Sequence, residues 1–573
     1  MNEAVEIKHH TTFYGTNPYT QGRAIVFELK LPDSGAVRKH VEENLVMIYK
    51  ILPSDFNPQR SSDLKKGIPY FIFDMLNYTG GNLRYLAFSE KYNKFLFALD
   101  FHSEELVKSI CAVLQKIINV RSLKSRVACE VFDNIFKLTK NSEPDFQAHV
   151  LIRYAQRMGI SYVNLKNRIW VYGMGAKSQC FFETSTLEDM KKLRLTKRTC
   201  KDIFLQLSCP TASYLVLNSS TTISDIEHNI GYPLVVKPVV GGGGRGITAG
   251  IENDTQLYFA IDYAKKFAGD HEIIIEKHIF GDDHRLMFVG GEFIGCVKSQ
   301  APYVVGDGVN NISNLIAVKN EGRSISFYKS NFKRPIKVND GLINKLNLQG
   351  LTLSSILPKN KKVTLQSNAN LGGGGDSFLV EHVHPEIIRL AKLITDETAL
   401  YSVGIDYITT DITSDPQSTG GGFTEINKTP GLPVYIGAGY TVDWLGEKFL
   451  SKICSNIDCN VFVYKHGLSV KEIASLKVNA YIFPSYLLWK GVAQKIDGNS
   501  WVECWAKYLT NKKLTEINFF ISDVELLRAG FPEQVTRVYL LSDVLDSVYR
   551  FCEESGLQYS LFSGPVDSVD RRF

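Results

Sequence analysis

The residues best suited to chemistry begin at Val235-Val236-Lys237-Pro238, followed two positions on by Gly241-Gly242-Gly243-Gly244-Arg245-Gly246. A strand that ends in lysine and turns into a glycine hairpin can lay backbone N–H groups along a polyphosphate. Glycine suits that task because it tolerates both the close approach and a positive φ. Lys237 adds a point charge to the same phosphates. A plain surface hairpin after a strand has no use for five glycines within six positions.

Two further groups follow. Ile273-Ile274-Ile275-Glu276-Lys277-His278-Ile279 is an apolar strand running into a polar hinge, able to offer main-chain groups to an adenine edge while aliphatic side chains cover the ring. Asp283, just past the turn at Gly281, is placed to hydrogen-bond ribose hydroxyls, and Arg285 starts the next strand, with Leu286 and Phe288 alternating. Without the glycine loop, Asp282 and Asp283 would read as solvated turn residues. The last group is Gly404-Ile405-Asp406-Tyr407 with Glu425-Ile426-Asn427. Their spacing puts Glu425 and Asn427 on one face of a strand. A carboxylate from a neighbouring strand, Asp406, completes an all-oxygen set that suits Mg²⁺ and leaves room for water and phosphate. Apolar neighbours Ile405, Ile408 and Ile426 mark interior strands, where unpaired carboxylates are costly.

In this order and spacing the three groups resemble the ATP-grasp enzymes, and within them the ATP-grasp module of cyanophycin synthetase and the carboxy-terminal half of bifunctional glutathione synthetases. The resemblance is carried by Val235–Thr248, Ile275–Arg285, Val304–Ile312, Gln349–Thr352, Asn368–Leu371, Gly374–Ser377 and Glu425–Leu432, about 200 residues in all. It implies an α/β (α+β) chain whose ATP-grasp fold has two α/β subdomains clasping ATP. Lys197 and Lys237 resemble the two ATP lysines, and Gly241, Gly242, Gly243, Gly244 and Gly246 the mobile phosphate lid. Glu276 and Ile279 would flank the adenine, with Asp283 on the ribose. Asp406, Glu425 and Asn427 would hold one or two Mg²⁺, with Mn²⁺ as a substitute. Arg285 and Asn370 would face the acyl phosphate and the transferred phosphoryl group. The implied activity is ATP-dependent ligation of a carboxylate to an amine through an acyl phosphate, releasing ADP and phosphate. The implied substrates are amino acids or short peptides, and such relatives are often dimers or tetramers.

The chain departs from the pattern at several points. It contains no GxxxxGK[ST], so no counterpart of the Mur-ligase-like domain of cyanophycin synthetase is expected in these 573 residues. Gln366 stands where the relatives carry arginine, and Gly372-Gly373 where they carry Ser-Thr. The basic residue expected before the Gly306-Asp307-Gly308 loop is represented only by Lys298, with Ser299 beside it. Pro433-Val434-Tyr435 replaces an Arg-Met-His-like ending. Losing one donor to a developing oxyanion costs about 2.7–4 kcal/mol, so the acyl site is either retuned or weakened. Intact ATP and metal residues favour retuning. The competing reading is a catalytically retired ATP-binding scaffold or sensor acting through its flanking domains.

The elements that must position these residues are legible in outline. Strands are expected at Pro233–Lys237, Ile273–Glu276, Gly404–Thr409 and Phe423–Asn427, and a helix at Asp254–Phe267. Residues 1–190 form an expected N-terminal α/β domain resembling the region before ATP-grasp in cyanophycin synthetase, on the strength of Gly173-Met174-Gly175-Ala176-Lys177. The ATP-grasp domain is expected at 191–446, with its lid at about 231–290, and a C-terminal domain at 447–573. In the first part Ser103–Val120 reads as a helix, capped by Ser103, with Val107, Ile110, Cys111, Leu114, Ile117 and Ile118 on one face. A second helix is expected around Ala148–Met158.

Composition narrows the class. A chain of 573 residues exceeds one compact core. Its 44% hydrophobic and 22% charged content is that of a globular protein. A formal charge of +5, from 65 basic and 60 acidic residues, gives no reason to expect nucleic acid as partner. Ten cysteines without CxxC spacing are expected to be reduced thiols. The start MNEAVEIKHH lacks the pattern of a signal peptide, and no long apolar run spans a membrane, so a cytoplasmic enzyme is expected.

Overall fold

The computed structural model describes residues 4–13, 15–20, 22–51, 63–78, 83–91, 94–121, 123–142, 145–165, 168–192, 194–323, 333–366, 373–466, 480–483, 486–489, 492–495, 511–531, 534–541 and 544–562. These residues form mixed α/β structure with several antiparallel sheets, divided between two compact units.

One unit combines Met1–Asp145, Ala155–Cys180 and Ile453–Phe573. Its first sheet is antiparallel, in the order Glu6–Phe13, Ala24–Lys30, Lys94–Leu99, Leu86–Lys91. The strand Ala24–Lys30 is buried along nearly its whole length rather than at alternate residues, the pattern of a strand covered on both faces. Ile25, Phe27 and Phe97 pack under helices Gly35–Ile51, Leu64–Tyr78 and Glu104–Ile118. Ala24, Val26 and Ala98 join a second core with Val461, Phe519 and Leu540 from the end of the chain. Those residues lie on Asp458–Tyr464, Glu516–Ser522 and Arg537–Leu541, which pair in parallel. The first and last parts of the sequence therefore share one hydrophobic core. Helix Glu104–Ile118 forms as expected: Ser103 accepts from the Leu106 amide, and the anticipated apolar face is buried.

The other unit comprises Phe146–Tyr154 and Phe181–Lys452. A four-stranded antiparallel sheet runs in the order Thr248–Ile251, Leu234–Pro238, Ile273–Lys277, Tyr214–Leu217, with helix Asp254–Ala268 packed on it. A five-stranded antiparallel sheet runs in the order Asp376–Val380, Glu292–Gln300, Asp282–Val289, Ser402–Thr409, Gly422–Asn427. Helices Lys197–Gln206 and Pro385–Thr398 cover one of its faces through Cys200, Phe204, Ile387 and Ile394. Residues between these strands build a small third core around Ile312, Ile336, Leu346 and Val363. Each expected strand and helix in this unit is present, shifted by at most two residues at an end. No described helix is long and apolar enough to cross a membrane. The nine described cysteines are free thiols.

Asp100 gives the first unit a pH signature. It is 7% exposed and accepts hydrogen bonds from the amides of Arg84 and Tyr85. Burial outweighs those bonds and pushes its pKa up to about 6. A carboxyl whose folded pKa lies above its unfolded value favours the protonated folded state, so stability should fall as pH rises from about 4 to about 6, by up to about 3 kcal/mol. Thermal unfolding between pH 4 and pH 7 checks this prediction: Asp100→Asn should flatten the slope.

Candidate functional site

Register across the five-stranded sheet gathers the site. Arg285 lies opposite Asp406, and Asp406 opposite Glu425, in one row across three adjacent strands. The next row, Leu286, Ile405 and Ile426, points the other way and is buried among the covering helices. Strand alternation thus leaves charged groups on one face and core on the other. The Asp406 carboxylate accepts two bonds from Arg285, from Nε at 2.6 Å and Nη2 at 2.8 Å, and one from Asn427 Nδ2 at 3.1 Å. Gly404 permits this: a Cβ there would sit 2.9 Å from Pro430 Cα and 3.2 Å from Arg285 Cδ.

The expected metal ligands Asp406, Glu425 and Asn427 therefore do converge. Burial first, and the like charge of Asp406 second, raise the Glu425 pKa, while Lys197 opposes both. Two facing carboxylates and an amide oxygen are a hard-oxygen donor set, and they fit a divalent cation that keeps water and phosphate among its ligands. Among the described residues no three His, Cys, Asp or Glu side chains form a metal-binding group of their own. Asp283 is exposed over much of its surface, yet burial of its carboxyl and the charge of Asp406 push its pKa up to about 6.

The second half of the site is a buried charge cluster. Glu276 accepts a hydrogen bond from Lys237 Nζ on one oxygen at 2.5 Å, and Lys201 Nζ stands 2.9 Å from the other as an ion pair without a hydrogen bond. All three are buried, Lys201 completely. Burial alone would raise the Glu276 pKa, but Lys237 and then Lys201 reverse it, and the net shift is downward. Lys197, one helical turn before Lys201, donates to the Gly241 carbonyl at 2.9 Å and stands 3.9 Å from Glu425. Burial lowers the pKa of Lys197. Lys197 and Lys237 therefore both lie at the mouth of the glycine loop. Lys201 was not anticipated. Its signal is its spacing: it sits four residues after Lys197, on the helix face that also buries Cys200 and Phe204.

In the loop itself Gly241, Gly243, Gly244 and Gly246 have positive φ. Side chains at Gly241 and Gly242 would meet nothing within 4 Å, whereas Gly246 is pinned, with Pro238 Cγ 2.9 Å and Phe267 Cβ 3.0 Å from a built Cβ. Ile279 is half-buried, and its Cδ1 lies 2.9 Å from where a Cβ on Gly422 would be.

The remaining expectations separate from this cluster. Lys298 lies opposite His284, in register with Tyr407, on the sheet face away from Arg285. Its ammonium pairs with Asp282 at 2.7 Å, and it lines a separate cavity of about 440 Å³ with His284 and Asp411. The structure does not bring it to the Arg285–Asp406–Glu425 row, because a shift of one residue along a strand reverses the face. Asn370 and Gly372 lie outside the described residues. Gln366 is buried and donates to the Gly373 carbonyl at 3.3 Å; a Cβ on Gly373 would meet Gln366 Oε1 at 2.0 Å. The glutamine and this glycine are thus one coupled departure. Asp307 organises its own turn, accepting from the amides of Val309 and Asn310 and from the Asn310 side chain.

Residues 206–301 match the family described as D-ala D-ala ligase C-terminus, an ATP-grasp domain. The chain is 33% identical over 217 residues to a cyanophycin synthetase from Synechocystis sp., covering 37% of this chain and 25% of that protein. It is 31% identical over 212 residues to a glutathione biosynthesis bifunctional protein from Pasteurella multocida, covering 35% of this chain and 27% of that protein. The alignments thus span about a quarter of the length of these curated relatives. A crystal structure of a bifunctional glutathione synthetase from Pasteurella multocida aligns with a TM-score of 0.39 at 14% identity, over 75% of this chain and 81% of that one.

The loop geometry makes a prediction. Gly246→Ala must accept a φ of +73° and a clash with Pro238 and Phe267, and should lower stability by about 1–3 kcal/mol. Gly242→Ala, in open space, should change it by less than about 1 kcal/mol. Thermal denaturation of the two variants checks the contrast.

Proposed function

We propose that this chain, which carries an ATP-grasp domain of the D-Ala–D-Ala ligase C-terminal type, is an ATP-dependent carboxylate–amine ligase acting on an amino acid or short peptide. The observation that carries the reading is the convergence of Arg285, Asp406, Glu425 and Asn427 on one sheet face, in the unit that also holds Lys197 and Lys237 beside the glycine loop. Cations that can meet phosphates and carboxylates that can hold a metal thus come from two sheets and a helix of one unit.

A substrate carboxylate attacks the γ-phosphate of ATP; the new O–P bond makes an acyl phosphate, and ADP leaves. Negative charge spreads over the phosphoryl oxygens as the bond to ADP breaks, and Lys197, Lys237 and Arg285 are the groups that offset it. Mg²⁺ held by Asp406, Glu425 and Asn427 would supply further neutralisation of the phosphate oxygens. An amine then adds to the activated carbonyl, loses a proton, and phosphate departs. The Gly241–Gly246 segment covers the phosphates and keeps water from the acyl phosphate.

One observation favours a second reading. Gln366 fills the space against Gly373 where the relatives' arginine and small polar residue are expected, as a retired ATP-binding scaffold would allow. A scaffold has no use for the Asp406, Glu425 and Asn427 arrangement, and the ligase reading is preferred.

Purified protein incubated with Mg-ATP and pooled amino acids and dipeptides should release ADP and yield a mass equal to two substrates minus water. ATP binding without turnover would instead support the scaffold. Lys237→Ala should abolish ATP binding. Glu425→Gln should fold normally and lose turnover by about a hundredfold or more. Lys298→Ala, on the opposite face, should keep turnover within about threefold, since it touches none of the proposed transition-state charge.

A further inference from the structure

We propose that Lys201 is a positioning residue for Lys237: it remains on Glu276 so that Lys237 can leave that carboxylate for an incoming phosphate. The proposal rests on the nucleotide-binding reading above. Glu276 has one ammonium on each oxygen, but the two lysines are held differently. Lys201 is 0% exposed; its Nζ pairs with Glu276 Oε2 by charge, without a hydrogen bond to it, and donates to Thr211 Oγ1 at 2.8 Å, which donates onward to the Phe423 carbonyl at 2.7 Å. Thr211 therefore holds its ammonium in place beside Glu276. Lys237 is the penultimate residue of its strand, four residues before Gly241, and among the described residues its ammonium has a hydrogen bond to Glu276 only.

The asymmetry has a physical use. If Lys237 were the sole counterion, its move to a phosphate would strand a carboxylate away from water, and the pair would hold it back. With Lys201 held beside the second oxygen by Thr211, Glu276 keeps a counterion throughout the exchange. Lys277 cannot replace it, because its ammonium is committed to the carbonyls of Gly231 and Tyr232. Lys197 points to the Gly241 carbonyl instead.

The test is calorimetric titration of the full chain with Mg-ATP and, as a base-free probe, inorganic tripolyphosphate. Lys201→Met should weaken both about tenfold or more by locking Lys237 onto Glu276. Adding Glu276→Gln to Lys201→Met should restore tripolyphosphate affinity to within about threefold of the unmodified chain, a non-additivity that a purely structural lysine would not produce. A Lys201→Met chain that binds both probes like the unmodified one overturns the proposal, as does a double variant no tighter than the single. If Lys201→Met does not fold, the double variant, which buries neither charge, decides by the same threefold criterion. An unmodified chain that binds neither probe removes the nucleotide reading itself, and this proposal with it.

Discussion

A carboxylate sealed from water requires positive charge at hand, and removing one partner of a buried ion pair costs about 3–5 kcal/mol. Glu276 sets that constraint here. It lies on a central strand of the four-stranded sheet and draws Lys201 from a helix and Lys237 from the neighbouring strand onto its two oxygens. The position of Lys237 next to the glycine loop, and the docking of helix Lys197–Gln206 with Lys197 on the Gly241 carbonyl, are tied to the same buried charge. The cluster carries more cation than anion, a balance that suits a site proposed to receive phosphates.

The five-stranded sheet solves the complementary problem, holding Asp406 and Glu425 close together. Arg285 and Asn427 supply donors to Asp406, and the backs of the same strands are buried under two helices. Rigid, apolar backing fixes the strands, and the strands fix the charged row. A single strand, Asp282–Val289, thereby serves two surfaces: Arg285 belongs to the charged row, and His284 to the cavity that Lys298 lines.

Chemistry-bearing residues and element types were legible from the residues alone. Five glycines after a lysine, the two-residue spacing of Glu425 and Asn427, and the apolar stripe after Ser103 each express a local rule of backbone geometry. Such rules act over a few residues, so a linear reading captures them. Gln366 and Gly373 were visible as separate departures, but their contact was not, because the two lie seven positions apart in the chain.

Sequence by itself determined the glycine loop, the strands and helices around it, and the set of residues proposed to bind phosphate and metal. Tertiary structure alone decided which of them meet. Lys298 was expected beside Arg285 but lies on the opposite face of the sheet, since a strand reverses its side chains at every residue and register is set by distant partners. Lys201 looks like an ordinary helical lysine until the fold buries it against Glu276, 75 residues away in sequence. The shared core of Val26 and Val461 has the same origin: apolar surface is non-directional and carries no address, so only the folded chain shows which faces cover one another.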